Sequence, residues 1–199
     1  MSGEKAGLRH RLLARVRELD EAYLLSSGEA LCRRVLDMPQ YRAAKTVFAF
    51  AGTGWEVDTA PLLRAALAAG KRLCVPLCAV PGQMEARLLR DLAELTPGAY
   101  GIPAPPEDAP LCPPEEIDFA AVPCLSCTRT GIRLGRGGGY YDRFLAGRSL
   151  FTAALCRETM LSDSLPAEPW DVPVDAVVTE NAVILRPGGG TEGVPPTVR

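Results

Sequence analysis

The stretch RLGRGGGYYDRFLA, residues 133–146, places four glycines within five positions and runs directly into an apolar helical pattern. A buried-strand pattern, IDFAAVPCL (117–125), comes shortly before it, so the glycines lie between a strand and a helix, as is typical of α/β folds. Glycine allows close approach of the backbone and positive φ angles. Consecutive N–H groups can bind an anion together with the start of a helix. The stretch therefore predicts an anion site, to which Arg133 and Arg136 can add charge-assisted hydrogen bonds.

The alternative interpretation of this stretch is a glycine-rich turn flanked by two solvated arginines. Its spacing differs from G-x-x-x-x-G-K-[ST], and no acidic residue follows a second strand at the distance that a dinucleotide fingerprint requires. The anion site is favoured because the loop follows a strand and a helix begins at about Tyr140. Asp142, in the first turn of that helix, is placed to hold a Mg²⁺ ion that bridges phosphates.

Strand and helix patterns alternate on both sides of the glycine loop. An amphipathic helix opens the chain (8–19), a second helix is expected from about Ser26, which has capping-box spacing to Glu29, and a third covers 58–70. Strands are predicted at 46–52, 72–78, 117–125, 150–156 and 176–185, with an edge strand at 84–89. The predicted fold is a three-layer α/β/α single domain with an open, mostly parallel sheet. Ligands in such folds bind beyond the carboxyl ends of the strands.

The composition and net charge of the chain exclude some classes of function. It has 199 residues, 47% of them apolar, and a net charge of −2, so no overall field attracts nucleic acid or an anionic membrane. Seven scattered cysteines and a charged start without a long apolar run predict a reduced, cytoplasmic protein without a signal peptide. We expect one domain over residues 1–186, followed by a disordered tail rich in glycine and proline at 187–199.

The motif GIRLGRGGGYYDRFL resembles the signature of the 5-formyltetrahydrofolate cyclo-ligase family. KAGLR near the start, GWEVDTAPLL, YGIPAP and DVPVDAVVTEN resemble further family elements in the same order, so the resemblance covers about residues 5–184. It implies an ATP- and Mg²⁺-dependent ligase of one-carbon metabolism that converts 5-formyltetrahydrofolate to 5,10-methenyltetrahydrofolate through a phosphorylated formyl group, releasing ADP and phosphate. It also implies a cytoplasmic monomer whose small-molecule partner is a reduced folate, with or without a polyglutamate tail.

The resemblance also implies a role for each residue that matches the family's motifs. The residues expected to act in catalysis are Arg133, Arg136 and Tyr140. ATP is expected to contact Lys5, Arg9, Gly135, Arg136, Gly137, Gly138, Gly139, Tyr140, Tyr141, Asp142 and Arg143. Folate is expected to contact Ala51, Trp55, Glu56, Gly138, Gly139, Tyr140, Tyr141 and Asp142. The magnesium ligands are expected to be Asp142 and Asp171, with Asp175 as the weaker candidate.

The residue types alone leave some of these roles open. Lys5 and Arg9 share one helix face, and basic residues on an amphipathic helix usually face water. The carboxylate of Glu56 suits the donor groups of a pterin ring, but it is equally typical of an exposed loop or a helix cap. Trp55 beside it can supply an apolar wall. Aspartates near prolines, such as Asp171, ordinarily form turns.

Several positions depart from the family's usual residues: Ala104, Cys127, Thr128, Met160 and Trp170. They motivate an alternative, a catalytically weak paralogue that binds folate or nucleotide. A third hypothesis is a sugar-phosphate isomerase-like enzyme, which would bind phosphate without ATP. Cys124 and Cys127 form a lone C-x-x-C with no second pair or nearby histidine, so we interpret them as structural thiols and not as a zinc site.

Overall fold

The computed structural model describes residues 3–78, 80–98 and 101–188, and its core is a seven-stranded sheet. The strands in these ranges are β1 (Thr46–Ala49), β2 (Arg72–Leu77), β3 (Glu85–Leu89), β4 (Thr96–Pro97), β5 (Pro103–Ala104), β6 (Phe119–Pro123), β7 (Ser126–Cys127), β8 (Arg133–Leu134), β9 (Phe151–Leu155), β10 (Ala176–Val178) and β11 (Val183–Leu185). The main sheet has the order β11-β10-β9-β6-β1-β2-β3. Its five inner strands are parallel, and β3 and β11 are antiparallel at the two edges. The open, mostly parallel sheet is confirmed.

Two layers of helices cover the sheet, because consecutive residues of a strand point to opposite faces. The helices are α1 (Gly3–Arg17), α2 (Glu21–Asp37), α3 (Pro39–Ala43), α4 (Ala60–Ala68) and α5 (Tyr140–Leu145). Val47 and Ala49 of β1 pack with α2, α3 and α4, whereas Phe48 packs with α1 and α5 on the other face. This arrangement confirms the three-layer α/β/α prediction.

The central strands direct two loops to the same edge of the sheet. β1 pairs in parallel with β6, with Val47 beside Phe119, and β6 pairs in parallel with β9, with Pro123 beside Leu155. The loop after β1 (50–59) and the chain after β6 therefore leave the sheet side by side. The β7–β8 hairpin after β6, which the sequence pattern did not predict, carries the glycine loop into α5.

Two predicted elements have different boundaries. The second helix begins at Glu21, not near Ser26, because the side chain of Asp20 caps it by accepting hydrogen bonds from the backbone N–H groups of Ala22 and Tyr23, at 2.8 and 3.2 Å. The predicted last strand, 176–185, is a hairpin, because the chain turns over 179–182 and the backbone N–H of Thr179 donates to the carbonyl of Ala182 at 2.8 Å. Both errors arose from short polar segments whose hydrogen bonds are local.

The predicted tail begins at residue 187, but residues 189–199 lie outside the described ranges. The division into a domain over 1–186 and a tail over 187–199 therefore stays a prediction. Among the helices of the described residues, none combines the length and the hydropathy that a membrane span requires.

Candidate active site

A cavity of about 1140 Å³ opens beyond the carboxyl ends of the central strands. The loop after β1 forms one part of its wall, and the glycine loop before α5 forms another. The start of α1 and the loop before β10 contribute further lining. Apart from Asp175, the structure thus gathers around one cavity the residues to which the sequence gave a site role: Lys5, Arg9, Ala51, Trp55, Glu56, Arg133, residues 135–143 and Asp171.

The glycine loop needs its glycines because the backbone takes conformations that other residues avoid. Gly137 has φ 102° and Gly139 has φ 65°, both in the region that favours glycine. A Cβ atom on Gly137 would lie 3.2 Å from the guanidinium carbon of Arg9, and the Nε–H of Arg9 donates to the carbonyl of Gly135 at 2.9 Å. Because α5 has only six residues, we expect the loop amides and nearby cations, more than the helix dipole, to bind an anion here.

Arg133 connects the glycine loop to the following helix. Its side chain is 3% exposed and forms a salt bridge with Asp142 at 2.8 Å. The same Asp142 oxygen accepts a hydrogen bond from the backbone N–H of Val172 at 3.2 Å. Among the described residues, the buried Nε–H of Arg133 has no hydrogen-bond partner, although an unpaired buried donor is costly. Arg133 therefore orients Asp142 and retains a donor near the cavity wall.

Lys5 is buried and does not lie on a solvated basic face. Its ammonium group contacts Asp171 at 2.5 Å and Glu168 at 3.1 Å, and its side chain is 5% exposed. Burial lowers the pKa of Lys5, but the hydrogen bonds to Asp171 and Glu168 outweigh this effect and raise the pKa above its usual value. The ammonium group thus stays charged and holds the loop before β10 against α1.

The wall formed by the loop after β1 presents a carboxylate and an aromatic ring. Glu56, whose side chain is 10% exposed, forms a salt bridge with Arg136 at 3.1 Å. The guanidinium of Arg136 also stacks over the ring of Trp55, 4.8 Å from its centroid. Burial raises the pKa of Glu56, and the charge of Arg136 partly opposes this rise. Arg136, expected from the sequence to face phosphate, therefore also contacts both predicted folate-binding side chains.

The two predicted magnesium ligands lie close together in the chain's fold, because Asp142 accepts a hydrogen bond from the residue that follows Asp171. The bonds to Asp142 use Oδ1, and those to Asp171 use Oδ2. Each carboxylate thus has a second oxygen for an ion. No group of three or more potential metal-ligating side chains occurs within the described ranges. Asp175, the weaker candidate, instead accepts from the backbone N–H and hydroxyl of Thr152.

Some cavity residues were missed by sequence reasoning. Glu168 pairs with Lys5 across 163 positions of sequence, and no local pattern marks it. Cys124 lines the cavity, and hydrogen bonds with Cys127 and Cys156 lower the pKa of its thiol. All seven cysteines lie in the described ranges as free thiols. Of the atypical positions, Ala104 and Trp170 line the cavity, whereas the others are buried away from its wall: Cys127, Thr128 and Met160.

Comparisons with known proteins identify the family of the chain. The model of the 5-formyltetrahydrofolate cyclo-ligase family matches residues 1–180. A 5-formyltetrahydrofolate cyclo-ligase of Mycolicibacterium smegmatis is 34% identical over 191 residues, covering 91% of this chain and 96% of the relative. The enzyme of that name from Escherichia coli K12 is 30% identical over 162 residues, covering 78% and 89%. The solution structure of Aquifex aeolicus 5,10-methenyltetrahydrofolate synthetase superposes with a TM-score of 0.83 at 29% identity, covering 98% of this chain and 99% of that one. The chain therefore belongs to the 5-formyltetrahydrofolate cyclo-ligase family.

Proposed function

We propose that this protein closes 5-formyltetrahydrofolate to 5,10-methenyltetrahydrofolate and converts ATP to ADP and phosphate. The observation that carries the proposal is the cavity itself, which is lined both by the positively charged glycine loop and by Glu56 and Trp55, with Arg136 of the loop in contact with both side chains. The loop suits a polyphosphate, and a carboxylate beside an aromatic ring suits a pterin, which has N–H donors and a flat face. The two substrates would thus meet within one cavity.

The chemistry explains why such an enzyme needs ATP. A formamide oxygen is a poor leaving group, so the formyl oxygen first attacks the terminal phosphorus of ATP, and the bond from that phosphorus to ADP breaks. N10 of the folate then attacks the formyl carbon, phosphate leaves with the former formyl oxygen, and N10 loses its proton. These steps require alignment and charge neutralisation more than a protein nucleophile.

The proposed catalytic residues act through charge and position. Arg133 in β8 and Arg136 in the glycine loop both line the cavity, where they can neutralise charge on the phosphoryl group during transfer. Tyr140 holds the same loop, since its hydroxyl accepts a hydrogen bond from the backbone N–H of Gly82 at 3.1 Å. Arg143 supports it by donating to the carbonyls of Gly82 and Gly138, at 2.8 and 2.7 Å.

We further propose that Asp142 and Asp171 hold Mg²⁺ together with phosphate oxygens. The ion would supply charge neutralisation on the triphosphate. The chain's own contribution is the placement of both carboxylates, by Arg133 for Asp142 and by Lys5 for Asp171. Lys5 and Arg9 would also contact phosphates, as both line the cavity.

The remaining proposals concern the oligomeric state of the enzyme, its compartment and the polyglutamate tail of its substrate. We propose that the enzyme is a monomer. Seven free thiols support a reducing compartment, the cytoplasm. We also propose that the folate is accepted with or without a polyglutamate tail. The alternative, a paralogue that binds without turnover, is favoured only by the atypical Ala104 and Trp170 in the cavity wall.

A direct assay tests the proposed function. We expect purified protein to form 5,10-methenyltetrahydrofolate, followed by its absorbance, from (6S)-5-formyltetrahydrofolate with ATP and Mg²⁺, and one ADP to appear per product. Product formation should stop when ATP is omitted. Folded protein that binds both substrates calorimetrically without turnover would instead establish the paralogue, and phosphate binding without ATP binding would support the isomerase-like hypothesis.

The pH dependence of the reaction should report Glu56. Burial raises the pKa of Glu56 above that of an ordinary glutamate. As the solution is acidified, Glu56 therefore becomes protonated at a higher pH than an ordinary glutamate, and the ionised form that binds the pterin is lost. We expect kcat/KM for folate to fall on the acidic side through this raised pKa. Arg136→Gln removes the charge that lowers the pKa, and it should move the acidic limb to higher pH. Glu56→Gln should abolish that limb, and an unchanged limb in both variants would contradict the assignment.

A further inference from the structure

Arg157 is a buried cation outside the set of predicted site residues. It follows β9 and is 5% exposed. Its guanidinium donates four hydrogen bonds: to the carbonyl of Trp55 at 2.8 Å, the carbonyl of Glu56 at 3.2 Å, the carbonyl of Leu24 at 3.4 Å and the hydroxyl of Ser27 at 3.0 Å. All of these acceptors are neutral. Within the described ranges Arg157 forms no salt bridge.

The acceptors of Arg157 belong to two separate parts of the fold. Leu24 and Ser27 lie in the first half of α2, and Trp55 and Glu56 lie in the loop after β1. Arg157 itself lies at the end of β9, so one side chain joins three elements. A planar guanidinium, which offers five donors in a fixed geometry, is suited to this task, whereas a lysine offers a single ammonium group.

The loop that Arg157 contacts is also held by hydrogen bonds of its own, among them one from the backbone N–H of Thr53 to the Glu56 carboxylate at 3.3 Å. Residues 50–59 contain no helix or strand. Thr59 closes the base of the loop, because its hydroxyl donates to the carbonyl of Phe50 and accepts from the backbone N–H of Gly52. At the other end, the backbone N–H of Glu56 donates to the carbonyl of Thr53 at 3.1 Å. The carbonyls of Trp55 and Glu56 are held by Arg157.

We infer that Arg157 is a positioning residue for reduced folate, and this inference rests on the proposed function. By fixing two consecutive carbonyls, Arg157 sets the main chain from which the Glu56 carboxylate and the Trp55 ring extend toward Arg136. It does not line the large cavity, so it acts through these residues and does not contact the substrate. The burial of a cation against neutral carbonyls is a poor source of stability by itself, which favours a positioning role.

The kinetic test compares Arg157→Lys and Arg157→Met with wild type. We expect the KM for 5-formyltetrahydrofolate to rise by about tenfold or more in Arg157→Met and by less in Arg157→Lys, since loss of hydrogen bonds from a charged donor weakens the fixed geometry. The KM for ATP should stay within about twofold. The matched control is Arg129→Gln, which removes a nearby arginine whose side chain is 62% exposed and paired with Glu158; it should change neither KM. Equal changes in both KM values, or none, would overturn the inference.

A second measurement does not depend on turnover or on a fully stable variant. The chain has two tryptophans, so in a Trp170→Phe background the fluorescence of Trp55 reports the loop alone. We expect Arg157→Lys in that background to make Trp55 more accessible to acrylamide quenching, and Ser27→Ala to do so to a smaller extent. Unchanged quenching in folded Arg157→Lys would refute positioning even if wild type were inactive, whereas an inactive wild type with altered Trp55 quenching would count against the proposed function alone.

Discussion

Lys5→Met is expected to lower kcat/KM for ATP by about a hundredfold or more. The ammonium group of Lys5 lies between Asp171 and Glu168, at 2.5 and 3.1 Å, with 5% of the side chain exposed. Methionine fills similar volume but leaves two partly buried carboxylates facing each other without a cation. Breaking a buried ion pair by removing one partner costs about 3–5 kcal/mol. The variant should therefore lose both a phosphate contact and the placement of Asp171.

The Lys5 effect can be separated from general damage to α1. Arg15→Met replaces an exposed cation on the same helix and should leave steady-state kinetics unchanged. Lys5→Met/Asp171→Asn should recover part of the stability lost in Lys5→Met, measured by urea denaturation, because it removes one of the two repelling charges, but it should not recover activity. If Lys5→Met altered only the KM for folate, its assignment to the phosphate side of the cavity would be wrong.

The mostly parallel sheet and the edge at which the site lies could be predicted from the sequence because both depend on local patterns. Alternation of short apolar strands with helices predicts parallel pairing, and parallel strands place their carboxyl ends together. From this rule alone, the glycine loop after β6 and Glu56 after β1 were expected at the same edge, and in the structure both line one cavity.

The pairing of charged side chains could not be read in the same way. Lys5 and Glu168 are 163 positions apart, and Arg157 is 101 positions from Glu56, to whose backbone carbonyl it donates. No spacing rule connects them, since they meet only after α1, α2 and β9 have packed. For the same reason, Lys5 resembled an ordinary solvated lysine on an amphipathic helix, although the structure buries it.

The start of α2 was predicted wrongly because two possible capping residues lie close together in the sequence. Ser26 and Glu29 match a capping box, yet Asp20 caps the helix, and the hydroxyl of Ser27 donates to the carbonyl of Tyr23 at 2.6 Å within it. That same hydroxyl accepts from Arg157. Ser27, which follows the predicted cap Ser26, is thus part of the contact that holds the loop of the candidate site.

The loop after β1 leads to the second large expected effect, Gly52→Ala. A Cβ atom on Gly52 would lie 1.8 Å from the carbonyl oxygen of Val57 and 2.9 Å from its carbonyl carbon. Both atoms belong to the backbone, so no side-chain rotation relieves the overlap. The loop must open, and it then loses the hydrogen bond from the backbone N–H of Gly52 to Thr59 at 3.1 Å. We expect the free energy of unfolding to fall by about 3 kcal/mol or more, or Tm by about 6–12 °C.

Gly54→Ala in the same loop is the matched control, and it separates steric overlap from backbone strain. Gly54 has φ 60°, but a Cβ atom there would meet nothing within 4 Å, so its replacement should cost only about 1 kcal/mol. Conformational preference alone would rank Gly54 as the more sensitive position, whereas the packing of the loop ranks Gly52 first. Gly52→Ala should also raise the KM for folate more than that for ATP, because Trp55 and Glu56 lie on the displaced segment. Urea denaturation of both variants, together with both KM values, tests this ranking. If Gly54→Ala proved equally or more destabilising, the close contact between Gly52 and Val57 would not determine the shape of this wall of the cavity.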